Sequence, residues 1–169
     1  MLEVKDLHKS FGGLAAVSGV SFGVPEGQIK SIIGPNGAGK TTILNLITGL
    51  LPATSGEIWF KGEKIYGLHP YELASRGIAR TFQNVQLFGN MSVLENVMVG
   101  RHPKTRVEIL GAALRLPKAR QEEKAILEDA RERLRLVGLE KRAHEPAANL
   151  PFGQQRLLEI ARALATEPI

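Results

Sequence analysis

The sequence predicts an α/β fold built around a phosphate-binding loop, and three observations carry that prediction. The first is the run Gly34-Pro35-Asn36-Gly37-Ala38-Gly39-Lys40-Thr41-Thr42, which fits G-x-x-x-x-G-K-[ST]. The second is its flanks. Ile29-Lys30-Ser31-Ile32-Ile33 before it is short, apolar and β-branched, and reads as a strand, while Ile43, Leu46, Ile47 and Leu50 after it stand at helical spacing. The third is a change of pattern along the chain. Strands and turns dominate up to about Val85, and helical periodicity takes over from about Ser92.

Taken in order, Val4 to Phe11, Val17 to Val24, Gln28 to Ile33 and Gly56 to Lys61 read as strands. Pro25-Glu26-Gly27 and Lys61-Gly62-Glu63 read as turns. Ile126, Ala130, Leu134 and Val137 form one apolar helical stripe, with Gly138 as its C-terminal stop. Asp129 and Arg133 are spaced for an i,i+4 ion pair. Pro103 and Pro117 bracket a shorter helical or looped piece. The expected architecture is an α/β core with an antiparallel β layer near the N-terminus, followed by a helical subdomain.

The chemistry of the loop follows from its residue types. Glycines let backbone N–H groups turn inward and approach phosphate closely, and the helix dipole adds positive potential at the same end. Lys40 is placed to reach the outer phosphates, and the Thr41 hydroxyl to ligate Mg²⁺. The alternative is a glycine-rich turn leading into a helix.

A second stretch narrows the choice. Asn149-Leu150-Pro151-Phe152-Gly153-Gln154-Gln155-Arg156, with the helical run Leu157 to Ala165 behind it, resembles the signature motif of ABC-type ATPases, commonly L-S-G-G-Q. Leu150, Gly153 and Gln154 match; Pro151 and Phe152 depart from the pattern. In the family this loop closes over the γ-phosphate bound on the opposite subunit, and its serine contacts that phosphate. Proline has neither a hydroxyl nor a backbone N–H, so Pro151 makes neither contact. Without the family, the stretch reads as a loop capping an amphipathic helix.

The resemblance places further residues. Arg80-Thr81-Phe82-Gln83 resembles the segment carrying the Q-loop glutamine, here Gln83, which in the family touches Mg²⁺ or its water and senses the γ-phosphate. Leu7-His8-Lys9-Ser10-Phe11-Gly12-Gly13 occupies the place of the adenine-stacking aromatic, so Phe11 is either the stacking ring or a core residue at a strand end. The resemblance covers essentially the whole chain. It implies one incomplete ABC ATPase domain over 1–169: a P-loop NTPase core at 1–90, a helical subdomain with the signature loop at 91–165, and the C-terminal part of the core missing. A narrower resemblance, carried by Phe11 to Val17, Arg80 to Phe88 and Leu150 to Arg156, is to the ATP-binding subunits of branched-chain amino-acid importers. In that subfamily the signature serine is often replaced.

One family feature has no counterpart in these 169 residues. An ABC ATPase needs an apolar strand ending in Asp-Glu, the Asp for Mg²⁺ and the Glu as general base for the attacking water. No such run is present, so the catalytic residues are unknown, and the chain reads as the N-terminal part of a longer subunit or a truncated product. The chain has no cysteine, which excludes disulfide and thiol chemistry. No stretch approaches the roughly 20 apolar residues of a membrane span. The start, Met1 to Asp6, lacks the apolar centre of a signal peptide. The net charge of +5 sits in one segment: Arg101 to Arg142 holds 12 Lys/Arg against 7 Asp/Glu. Nucleic acid, anionic lipid or a plain solvated face each suit such a surplus.

The function implied is that of an ATP-binding, energy-coupling importer subunit using ATP and Mg²⁺. Its implied nucleotide-contacting positions are Phe11, Gly34 to Thr42, Gln83, Leu150, Gly153 and Gln154, with Thr41 and Gln83 toward the metal. Implied partners are transmembrane permease subunits and a second ATP-binding subunit, at the cytoplasmic face of the membrane, with no nucleic acid. A soluble ABC ATPase acting on DNA or ribosomes, or a nucleotide-binding fragment without turnover, are the alternatives.

Overall fold

A four-stranded antiparallel sheet opens the chain in the computed structural model, which describes residues 1–101 and 117–169, without the side chains of 117–120. β1 (Leu2–Phe11) turns at Gly12-Gly13 into β2 (Leu14–Val24), and β3 (Ser55–Phe60) pairs along the other edge of β1. β4 is only Glu63–Lys64, joined to β3 by the expected Lys61-Gly62 turn, and the order is β2-β1-β3-β4. The antiparallel layer expected near the N-terminus is present.

The described residues divide into two compact units, Met1–Leu73 and Ala74–Ile169.

In the first unit, α1 (Lys40–Ile47) buries Ile43, Leu46 and Ile47, three of the four positions its periodicity predicts; the fourth, Leu50, lies past the end of the helix and is exposed. Val4, Leu7, Val17, Ile58 and Phe60 supply the buried positions of the strands. A short helix, α2 (Pro70–Ser75), buries Leu73. One expected element differs. Gln28 to Ile33 is not a strand among the described residues, and Ile29 and Ile33 are 99% and 91% exposed. An extended apolar run becomes a strand only when a neighbour takes its N–H and C=O groups, and here none does.

The second unit is helical. α3 (Val93–Arg101), α4 (Pro117–Leu136) and α5 (Phe152–Ala165) pack around Val93, Leu94, Val97, Ala130, Leu134, Leu158 and Ala161, and short 3₁₀ turns occupy Glu140–Arg142 and Ala147–Asn149. Gly100 lets α3 approach α5 closely, because a Cβ there would lie 2.4 Å from the Arg162 carbonyl oxygen. On the apolar stripe of α4, Ala130 and Leu134 are fully buried and Ile126 and Val137 half-buried, and the helix ends before Gly138, at φ 74. The Asp129–Arg133 pair forms, with N to O at 2.9 Å. The piece between Pro103 and Pro117, and part of the basic segment, lie outside the described residues.

α3 starts with a reciprocal cap. Glu95 N–H donates to the Ser92 hydroxyl at 3.2 Å, and Ser92 N–H donates to the Glu95 carboxylate at 2.7 Å. The hydrogen bonds from Ser92 hold the Glu95 carboxyl below its ordinary value. A depressed carboxylate contributes stability above its unfolded pKa and loses it as pH falls through the folded one. The cap therefore holds at neutral pH and weakens in acid.

Replacing Leu134 by Ala should destabilise the helical unit by roughly 2–5 kcal/mol, since the site is sealed and the cavity collapses only in part. The same change at exposed Leu136 should stay within about 0.5 kcal/mol. Urea unfolding of the two variants distinguishes these outcomes, and equal losses would mean that α4 buries a different face.

Candidate functional site

The phosphate loop is shaped by what stands behind it. Gly39 caps α1 in the left-handed region, at φ 81 and ψ 3, and Gly37 is also left-handed, at φ 83. A Cβ on Gly39 would sit 2.4 Å from the Ala16 carbonyl oxygen on β2, so both sterics and backbone conformation demand glycine there. This fixes the loop against the β1–β2 hairpin and delivers the chain into α1 at Lys40.

The result is a concentration of unpaired donors. The N–H groups of Gly37, Gly39, Lys40 and Thr41 find no acceptor among the described residues. No side chain caps α1 and no acidic residue lies in its first turn. Its positive end is therefore uncompensated, the condition an anion site needs. The Lys40 ammonium donates to the carbonyl oxygens of Gly34 at 2.8 Å and Pro35 at 2.6 Å. It is thereby held over the loop rather than extended into water. Asn36, Ala38 and Thr41 are exposed and Thr42 is half-buried. The donor set fits a polyphosphate, and the exposed Thr41 hydroxyl at the helix start suits a hard cation shared with it.

Phe11 lies at the end of β1, 48% exposed, with the Lys9 ammonium 4.9 Å from its ring centroid. Its ring is thus a surface feature and not part of the core. Lys9 is itself anchored by donating to the Pro52 carbonyl at 2.8 Å.

The signature stretch lies in the second unit, where Leu150 is buried and Pro151 caps α5. Gly153 and Gln154 therefore already belong to the first helical turn. Gln154 and Gln155 donate their N–H groups to the Pro151 carbonyl at 2.8 and 3.0 Å, which leaves those of Phe152 and Gly153 without an acceptor among the described residues. A Cβ on Gly153 would meet nothing within 4 Å, so no contact within the chain requires glycine. Gln155 reaches back to the Leu150 carbonyl at 2.9 Å and steadies the turn. The Oε1 of Gln154 is buried without a partner among the described residues. Like α1, α5 has no side-chain cap and no acidic residue in its first turn.

Gln83 is exposed, on an irregular segment that α5 and α3 hold by its backbone. Glu159 is 3% exposed and accepts the Phe82 N–H at 2.9 Å. Arg156 donates to the Phe82 carbonyl at 2.7 Å and also to the Gln83 carbonyl, while pairing with Glu159 at 3.3 Å. At the other end, fully buried Asn96 exchanges hydrogen bonds with the backbone of Phe88, at 2.9 and 3.0 Å. Burial pushes the nearby Arg162 guanidinium below its ordinary value, and the Glu159 charge opposes that shift. Sequence reasoning did not single out Arg156, Glu159 or Asn96. A visible signal was there: Glu159 interrupts the apolar face of α5 between Leu158 and Ala161.

The structure therefore brings Gly34 to Thr42 together as one loop in the first unit. It brings Gln83 together with the turn Leu150 to Gln154, through α5, in the second. Among the described residues no cluster of His, Cys, Asp and Glu is arranged to hold a metal, and no helix is long and apolar enough to cross a membrane.

Known proteins share this arrangement. BraF of Pseudomonas aeruginosa, a high-affinity branched-chain amino acid transport ATP-binding protein, is 45% identical over 168 residues, 99% of this chain and 66% of its own length. LivG of Escherichia coli, named in the same way, is 40% identical over 168 residues. The chain spans about two thirds of the length of these relatives. Among solved structures, a nucleotide-free ATP-binding cassette from an ABC transporter superposes with a TM-score of 0.81 at 38% identity, over 99% of this chain and 66% of that one. A dimeric bacterial ABC transporter cassette gives 0.81 at 31% identity. The family model described as ABC transporter matches residues 17–169, and with the cassette fold and the phosphate loop in place the chain belongs to that family.

Proposed function

We propose that this chain binds ATP with Mg²⁺ as the energy-coupling part of a membrane importer, with branched-chain amino acids as the cargo class. The observation that supports it most directly is the phosphate loop. Two left-handed glycines, an uncapped helix end and a lysine held over the loop form a site for a polyphosphate and little else. The names of BraF and LivG supply the cargo class.

On this reading the N–H groups of Gly37 to Thr41 receive the phosphates. Lys40 exchanges two carbonyl acceptors for phosphate oxygens, and the Thr41 hydroxyl provides an oxygen for Mg²⁺. Phe11 offers the adenine a ring face that is already in solvent, with Lys9 beside it. Gly153 and the free N–H groups of the α5 turn face a nucleotide held by a second ATP-binding subunit, and permease subunits hold the pair at the cytoplasmic face of the membrane. These 169 residues contain no Asp-Glu strand, so we assign to them the binding of ATP and not the activation of water. The chain alone is expected to release phosphate at background rate, with turnover belonging to the complete subunit.

Lys40→Ala removes a charge-assisted contact and should weaken ATP binding by roughly 1.5–3 kcal/mol in a titration of the complete subunit. Unchanged affinity and turnover would end the assignment. Phe11→Ala should cost about 1 kcal/mol of nucleotide affinity while Phe11→Tyr is tolerated, because both aromatic rings present a π-face. If neither change moves affinity, Phe11 has no part in base binding.

Gly153→Asp should leave ATP binding by the monomer nearly intact and abolish ATP-driven dimerisation. A side chain at that open position meets nothing in its own chain and obstructs only a partner's phosphate. Sedimentation with and without Mg·ATP reads this. Copurification of the subunit with permeases supports the importer assignment, and copurification with nucleic acid would overturn it.

A further inference from the structure

Residues 78–90 form neither helix nor strand apart from turns, yet backbone groups of Phe82, Gln83 and Phe88 are satisfied by side chains of α5 and α3. Two of those side chains are unusual. Glu159 is an acid on the buried face of a helix, 3% exposed. Both its oxygens are engaged, one by the Phe82 N–H and the other by Arg156. Arg156 uses the fork of its guanidinium for the Phe82 and Gln83 carbonyls and lies over the Phe152 ring, 5.2 Å from its centroid. An apolar residue at 159 would occupy the buried position at no cost of desolvating a charge. Glu159 is the buried half of the pair and Arg156 is half-exposed, so the pair adds little net stability, but the planar fork of the guanidinium accepts few arrangements of its acceptors.

The geometry thus joins two positions far apart in sequence. Arg156 and Glu159 stand on the first two turns of α5, directly behind the turn Leu150 to Gln154. What they grip is the peptide of Gln83. We propose that Arg156 and Glu159 are positioning residues that lock the backbone of Phe82-Gln83 to the start of α5, so that Gln83 and the signature turn move as one body when nucleotide binds. This rests on the reading of Gln83 and of Leu150 to Gln154 as nucleotide-responsive elements. A displacement of Gln83 then carries the Phe152 and Gly153 N–H groups with it. Asn96 holds the far end of the segment at Phe88, so the strap between the two anchors has little slack.

The lock is tested in the complete subunit assembled with its permease subunits, with Arg156→Ala, Glu159→Ala and the milder Arg156→Lys and Glu159→Gln. Hydrogen exchange is followed on peptides covering 34–42, 80–85 and 150–156, with and without Mg·ATP, beside steady-state turnover. In the wild type, ATP is expected to protect all three. In the alanine variants protection at 34–42 persists and KM for ATP stays within about twofold, while protection at 150–156 is lost and kcat falls about tenfold or more. Glu159→Gln keeps an acceptor for the Phe82 N–H but sets an amide NH₂ against the Arg156 guanidinium, so its kcat should lie between those of Glu159→Ala and the wild type. Arg156→Lys, which keeps charge but loses the fork, should not recover kcat. Unchanged kcat with protection still coupled between 80–85 and 150–156 would overturn the proposal. So would loss of protection at 34–42 or a raised KM with kcat intact, which mark general loosening or lost binding. A wild type with no ATP-dependent protection at 34–42 would remove the nucleotide-site reading itself, and the lock with it.

Discussion

The close approach of Gly39 to the Ala16 carbonyl oxygen is the constraint on which the phosphate loop depends. With 2.4 Å between that oxygen and any Cβ at position 39, only glycine allows β2 and the start of α1 to touch. The same residue must adopt φ 81, so the steric and torsional demands coincide at one position. Everything useful about the loop follows from that contact. The N–H groups turn to one side, the helix begins at Lys40, and its ammonium is left with the Gly34 and Pro35 carbonyls as acceptors. A β-hairpin thereby supports an electrostatic site whose donors are almost all backbone.

The second unit solves a different problem by different means. Its described helices share an apolar core, but the segment carrying Gln83 has no regular structure to satisfy its peptide groups. Polar side chains do this instead: buried Glu159 with half-buried Arg156 at one end, buried Asn96 at the other. Such bonds are strong only when complete, and one missing partner leaves a desolvated charge or amide. The segment is therefore well placed as long as α3 and α5 keep their spacing, which Gly100 permits by removing a side chain between them. The two N-terminal helix ends that matter, those of α1 and α5, are both uncapped and free of acids, whereas α3 carries a full Ser92–Glu95 box. The cap thus secures α3, while the positive ends of α1 and α5 are left uncompensated.

The sequence by itself determined the elements whose cause is local. The phosphate loop, the apolar face of α1, the stripe and stop of α4, the Lys61-Gly62 turn and the antiparallel β layer are all written in spacing and residue type. The resemblance to ABC-type ATPases rests on the same short stretches. Tertiary structure alone decided three things. Gln28 to Ile33 has strand composition but no paired neighbour among the described residues, and pairing, not composition, makes a strand. Phe11 is exposed at a strand end, which alternation cannot settle because the last residue of a strand lies beyond the covered face. Arg156, Glu159 and Asn96 acquire their roles from peptide groups 73, 77 and 8 residues away in sequence. Hydrogen bonds of that kind leave no periodicity behind, because they depend on where two segments meet in space and not on what surrounds either along the chain.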